Sequence, residues 1–199
     1  MPRPTQAFID LSALAHNLGV VRQYVPRSRI MAVVKADAYG HGLLHTASAL
    51  KDVDGFALLE LDAAISLRDA GYQQPILLLE GFFSIEELAL FEQYRLSAVI
   101  HHSEQIAMLS DSRHHNLDLF LKINTGMNRL GLVPEQFPQI MKALTDHPGI
   151  DSITLMTHFA SADDPLEEEE VFQQLRYFEA ITQNHKYPHS LANSAAIIR

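Results

Sequence analysis

Ile30-Met31-Ala32-Val33-Val34-Lys35-Ala36-Asp37-Ala38-Tyr39-Gly40-His41-Gly42 is the stretch on which the reading of this chain turns. It opens on five apolar, partly β-branched residues, the length of a buried strand. It closes on two glycines two positions apart, a turn signal. Immediately afterwards Leu43, Leu44, Ala47 and Leu50 fall on one helical face. Strand, turn and helix therefore follow one another within about twenty residues, as a βα unit requires.

Outward from this unit the same alternation recurs. Further apolar runs at Gly55–Leu59, Ile76–Leu79, Ser97–Ile100, Leu117–Ile123, Ser152–Met156 and Ser190–Ala192 read as strands. Between them Leu61, Ala64, Ile65 and Leu67 form a helical stripe, and Ser84 and Glu87 have capping-box spacing ahead of Leu88 and Phe91. Pro134 suits a first helical position, with Phe137, Ile140, Met141 and Leu144 on the inner face and Pro148-Gly149 as the stop. Alternating strands and helices, with continuously apolar strands, predict a parallel sheet covered by helices. Two architectures satisfy this: a (β/α)8 barrel and a doubly wound open sheet. The open folds' phosphate signatures, GxGxxG and GxxxxGK[ST], are absent from the sequence.

Composition narrows the classes. The chain has 199 residues, 47% of them hydrophobic and 20% charged, which is ordinary for a globular protein. No run approaches the ~20 apolar residues of a membrane span, and Met1 to Asp10 carries no secretory h-region. Fifteen Lys and Arg against 24 Asp and Glu give a net charge of −9, a poor match to nucleic acid or an anionic membrane. Cysteine is absent, so disulfides and thiolate metal sites are excluded and a cytoplasmic location is expected.

Two clusters invite a functional reading and are better explained without one. The acidic run Asp163–Glu170 has Asp164 placed as an N-cap and Pro165 at the first helical position, with glutamates favoured by the positive end of the helix dipole. His41 and His45 have the spacing of a helical metal pair, but Gly42 stands where HExxH needs Glu. His101-His102 and His114-His115 are adjacent and point apart. No metal site is expected.

The residues at the carboxyl ends of the strands carry more information, because parallel α/β folds place their chemistry there. They are Lys35, Glu60, Glu80, His101, Lys122, His158 and the pair Asn193-Ser194. Lys35 follows a strand expected to be buried on both faces. Desolvation favours the neutral amine, the form that attacks a carbonyl to make a Schiff base. The competing reading is a lysine snorkelling to water or paired with Asp37.

The surrounding sequence favours the first reading. Val33-Val34-Lys35-Ala36-Asp37-Ala38-Tyr39-Gly40-His41-Gly42 closely resembles the cofactor-lysine signature of bacterial alanine racemases, enzymes that use pyridoxal 5′-phosphate (PLP). Leu121-Lys122-Ile123-Asn124-Thr125-Gly126-Met127-Asn128-Arg129-Leu130-Gly131 resembles a second signature, Thr157-His158-Phe159-Ala160-Ser161-Ala162-Asp163 a third, and Asn193-Ser194-Ala195 a fourth. The four blocks stand in family order, and the likeness runs from Phe8 to Arg199.

The resemblance implies an α/β chain with the (β/α)8 TIM-type barrel of PLP-dependent racemases, carried here to about seven strands. It implies a single N-terminal PLP-binding barrel domain over residues 1–199, stopping before the last barrel strand, with the family's C-terminal β-domain absent. Lys35 is expected to hold PLP as a Schiff base and to act as one of two catalytic bases. Tyr39 and Ser194 would contact the cofactor phosphate, and His158 would pack beside the pyridine ring. Arg129 would bind the phenolic oxygen and the substrate carboxylate, and Lys122 is a candidate for carbamylation that positions Arg129. The expected activity is interconversion of L- and D-alanine, supplying D-alanine for peptidoglycan. In the family the second base is a tyrosine of the β-domain acting across a homodimer, so this chain is expected to be inactive or weakly active. A barrel interrupted after about seven strands leaves the Ile30–Val34 and Ser190–Ala192 strands as free edges, through which the chain is expected to self-associate. The alternatives are a non-catalytic PLP-homeostasis barrel, against which the first two blocks argue, and a PLP-dependent decarboxylase.

Overall fold

The computed structural model describes residues 5–111 and 114–199, which divide into two compact units on either side of Gln74 and Pro75.

The first unit begins with helix α1 (Leu11–Tyr24), capped by Asp10, whose carboxylate accepts from the amides of Ser12 and Ala13 at 2.9 and 3.1 Å. At the other end Arg22 pairs with Asp54 at 2.9 Å and donates to the Asp52 carbonyl. Asp54 also accepts from the Ile30 amide at 2.8 Å. Burial pushes the Asp54 carboxyl up, but the Ile30 amide and the Arg22 guanidinium outweigh it and hold the group below its ordinary value. This one carboxylate thus fixes the entry into β1 (Met31–Val33) beside β2 (Gly55–Leu58). The two strands are parallel, with Met31 opposite Gly55 and Val33 opposite Ala57. A short helical turn, α2 (Lys35–Gly40), leads to α3 (Leu43–Ala49), and α4 (Leu61–Asp69) follows β2. Phe56, Leu58, Ala47, Ala64 and Leu67 form the core, each large apolar side chain contributing about 1.5–3 kcal/mol. Two expectations change here. Val33 is 43% exposed and Leu44 47%, so β1 is not buried on both faces and the α3 stripe is narrower than its leucines imply. β1 has a strand partner on one side only among the described residues.

The second unit contains β3 (Ile76–Leu78), α5 (Glu87–Tyr94), β4 (Ser97–Ile100), α6 (Ser103–Ser110), β5 (Leu117–Lys122), α7 (Phe137–Thr145), β6 (Ile150–Met156), α8 (Glu168–Thr182), β7 (His189–Ser190) and α9 (Ser194–Ile198). Its strands pair in parallel and in chain order. A helical segment separates each strand from the next, which gives the winding of a (β/α)8 barrel and not the order reversal of a doubly wound sheet. Leu77, Leu88, Val99, Leu119, Leu121, Phe137, Leu155 and Phe178 fill the interior, and Phe82 meets Phe91 edge-on at 5.9 Å.

Strand positions follow the apolar runs with small shifts. β6 starts at Ile150 and not at Ser152, because Ile150 already pairs with Leu117 of β5, and Ser152 then bonds the Asp118 carboxylate at 2.6 Å on an exposed face. β7 is His189–Ser190 and stops short of Ala192. The capping box expected from Ser84 does not form. Glu87 instead accepts from the Phe83 amide at 2.7 Å, and the Glu86 carboxylate is held below its ordinary pKa first by its own backbone amide and then by the Ser84 hydroxyl. Asp164 caps as expected, accepting from the Leu166 amide at 2.9 Å ahead of Pro165.

Candidate active site

In the first unit, the segment 35–42 adopts a conformation its residue types do not announce. Ala36, Asp37, Ala38 and Tyr39 have φ of 51°, 53°, 54° and 56°, so α2 is a left-handed turn of four consecutive non-glycine residues. Each such residue costs about 1–2 kcal/mol against the right-handed form, and strain of this size is characteristic of functional segments. The turn is held locally. The Ala38 amide donates to Val34 O at 2.9 Å and the Gly42 amide to Asp37 O at 3.0 Å. The Asp37 carboxylate accepts from the Leu43 amide at 2.7 Å. His41 Nδ1 donates to the Ala38 and Tyr39 carbonyls at 2.9 and 3.1 Å. The consequence is placement: Lys35 opens the turn, Tyr39 is 59% exposed on it, and Lys35 Nζ lies 5.9 Å from the Tyr39 ring centroid. That is within cation–π range.

In the second unit three strand ends stand side by side. His101 Nε2 donates to Glu80 O at 3.1 Å. Burial lowers the His101 pKa, the Glu80 carbonyl opposes this, and the nearby Lys122 charge lowers it further. Lys122 ends β5 at 9% exposure. It precedes a loop closed at its base by Leu132, whose amide donates to Lys122 O at 2.9 Å while its carbonyl accepts from the Asn124 amide at 3.0 Å. Inside the loop Asn124 accepts from the amides of Gly126 and Asn128, and Asn128 sits at φ 57°. Arg129 follows directly and is exposed.

Three of the four sequence blocks meet here. Thr125 and Thr157 share a 2.7 Å hydrogen bond between buried hydroxyls, and Thr157 donates to Ile123 O at 3.0 Å. Gln174 of α8 donates to His158 O at 3.1 Å and accepts from the Ala160 amide at 3.0 Å. Asn193 donates to Phe159 O at 3.4 Å and caps α9 through the Ala196 amide, so Ser194 opens that helix. Arg129, His158 and Ser194 are thereby carried on mutually hydrogen-bonded segments.

The residues that do this bonding escaped the sequence reading. Gln105 is buried, donates to Glu80, Phe82 and Val99 carbonyls and accepts from the His101 and His102 amides. Gln174 does the same work further along the sheet. Both look like ordinary polar positions of surface helices. The one signal available was Gln105 at the third position of α6, where a capping-box side chain belongs.

Residues 9–199 match the family described as alanine racemase, N-terminal domain. The chain belongs to the alanine racemase family. It is 58% identical over 200 residues to an alanine racemase of Nitrosospira multiformis, covering 100% of this chain and 56% of the relative. It is also 58% identical to one from Nitrosomonas europaea, with the same coverage. Among solved structures, the biosynthetic alanine racemase of Pseudomonas aeruginosa superposes with a TM-score of 0.87 at 40% identity, covering 95% of this chain and 53% of that one. The chain thus spans about half the length of the alanine racemases it matches, and its α/β fold is theirs. No helix among the described residues is long and apolar enough to cross a membrane.

Proposed function

We propose that residues 1–199 form the PLP-binding, lysine-bearing part of an enzyme that interconverts L- and D-alanine. The observation that carries the reading is the left-handed turn that begins at Lys35 and exposes Tyr39 on the same few residues. The donor set fits the cofactor's chemistry. A primary amine suits an aldehyde, hydroxyls at Tyr39 and Ser194 suit a phosphate, and a guanidinium at Arg129 suits a phenolate or a carboxylate.

PLP, when bound, supplies the electron sink that makes the α-proton of an amino acid removable. Lys35 would hold the cofactor covalently through Nζ and would then move the α-proton on one face. Tyr39 and Ser194 would anchor the phosphate, His158 would pack beside the ring and Arg129 would orient the substrate carboxylate. Lys122 lies buried at the base of the Arg129 loop. A carbamate there would convert a cation into an anion able to fix that guanidinium. Inversion needs a second proton-transfer group on the opposite face. By family resemblance this is a tyrosine of the longer relatives' β-domain, acting in a homodimer. Alanine is the proposed substrate, D-alanine for peptidoglycan the proposed use and the cytoplasm the proposed location.

The test is covalent labelling. Borohydride reduction in the presence of PLP should fix the cofactor on the peptide containing Lys35, and Lys35→Ala should abolish the label. Equal labelling of the variant would overturn the assignment.

A further inference from the structure

We propose that Asp37 is a positioning residue, whose carboxylate locks the left-handed turn and so sets where Lys35 and Tyr39 stand relative to each other. The role rests on the reading of Lys35 as the PLP-binding amine.

Between Val34 and Gly42 the chain must hold four consecutive left-handed residues. Aspartate tolerates this conformation better than alanine, because its short polar side chain bonds locally. The two flanking alanines have no such means. Asp37 fastens the turn to α3 twice. Its carbonyl accepts from the Gly42 amide at 3.0 Å, and its Oδ1 accepts from the Leu43 amide at 2.7 Å. Leu43 is the first residue of α3, and its amide has no helical partner. The preceding residue, Gly42, has no side chain to cap with. Asp37 therefore supplies across the turn the acceptor that the usual capping position lacks, and the two bonds together bar the turn from relaxing to the right-handed form.

His41 ties down the next two carbonyls of the turn, its Nδ1 donating to Ala38 O and Tyr39 O. Ala38 is buried at 4% exposure, so the centre of the turn is packed while its ends carry the two functional side chains. If the Asp37 bond is lost, the φ values between Lys35 and Tyr39 are free to change, and the amine and the phenol separate. The group required is an acceptor in that place. An amide oxygen provides one, so the charge itself is dispensable.

The experiment uses the 199-residue chain and three proteins: wild type, Asp37→Ala and Asp37→Asn. PLP affinity is measured by titration, attachment at Lys35 by borohydride trapping, and the Leu43 amide by hydrogen exchange without cofactor. Asp37→Ala should bind PLP about tenfold more weakly and lose protection at Leu43, while Asp37→Asn stays within about threefold of wild type, as expected for a bond to a well-placed acceptor. Wild-type affinity and a protected Leu43 amide in Asp37→Ala would overturn the proposal. So would equal weakening in both variants, since an acceptor would then not suffice. Should Asp37→Ala fail to fold, an unprotected Leu43 amide in the wild type, or a tenfold loss in Asp37→Asn, overturns it on its own. If wild-type protein traps no PLP at Lys35, the PLP reading falls, and the role of Asp37 in placing the cofactor falls with it.

Discussion

The buried hydroxyls of Thr125 and Thr157 lie 2.7 Å apart, and the Thr157 hydroxyl donates a hydrogen bond to the Ile123 carbonyl at 3.0 Å. Since Thr157 donates to the carbonyl, it must accept from Thr125. A directed chain of two hydrogen bonds therefore joins the Arg129 loop to the strand end that carries His158. Thr157→Val keeps the shape and removes both bonds, leaving the Thr125 hydroxyl unpaired. Urea unfolding should show a loss of about 1–3 kcal/mol, with Thr157→Ser close to wild type.

Gln105 gives a sharper electrostatic test. Its amide nitrogen faces the carbonyls of Glu80, Phe82 and Val99. Gln105→Leu should cost about 2–4 kcal/mol through the polar groups left unpaired at the ends of β3 and β4. Gln105→Glu puts a carboxylate against three acceptors and should be worse at neutral pH. It should recover part of its stability in acid, where the carboxyl is protonated and donates again.

Gly131 cannot take a side chain. Its φ is +132°, and a Cβ would stand 2.7 Å from the Asn124 amide nitrogen. That backbone is fixed by the Asn124 to Leu132 bond, so Gly131→Ala must open the base of the Arg129 loop. The expected loss is about 1–3 kcal/mol of stability, read by thermal unfolding.

His101 predicts a pH dependence. Its pKa lies below the ordinary 6.5, chiefly through burial. The unfolded chain therefore binds a proton more readily than the folded one, and this group's contribution to stability rises with pH. It is complete above about pH 6.5 and declines as the pH falls through that value toward the lower folded pKa. Denaturation of wild type and His101→Asn at about pH 5 and about pH 7.5 isolates the effect. The wild type's advantage should be larger at the higher pH. An advantage larger at the lower pH would contradict the assignment.

Much of the scaffold was legible because apolar runs mark parallel strands and Pro134, Asp164 and Pro165 mark helix starts. The inner face of α7 is the one its four apolar residues define. The left-handed turn was not legible. Ala36 and Ala38 are residues of the highest right-handed helix propensity, and the bonds that override them run from Asp37 to Gly42 and Leu43, five and six positions on, and from His41 back to Ala38 and Tyr39. Gln105 and Gln174 stayed hidden for a related reason. Glutamine is mostly exposed, and only the carbonyls and amides arriving from neighbouring strands explain its burial here. The candidate residues themselves were visible through four blocks of sequence, but the hydrogen bonds joining three of those blocks emerged only with the fold.

The most direct test of the central claim is peptide mapping of this chain after incubation with PLP and reduction with borohydride. The account predicts a stable pyridoxyl adduct on the peptide containing Lys35, lost in Lys35→Ala. An adduct elsewhere, on Lys122 or spread over surface lysines, with Lys35 unlabelled, would contradict it.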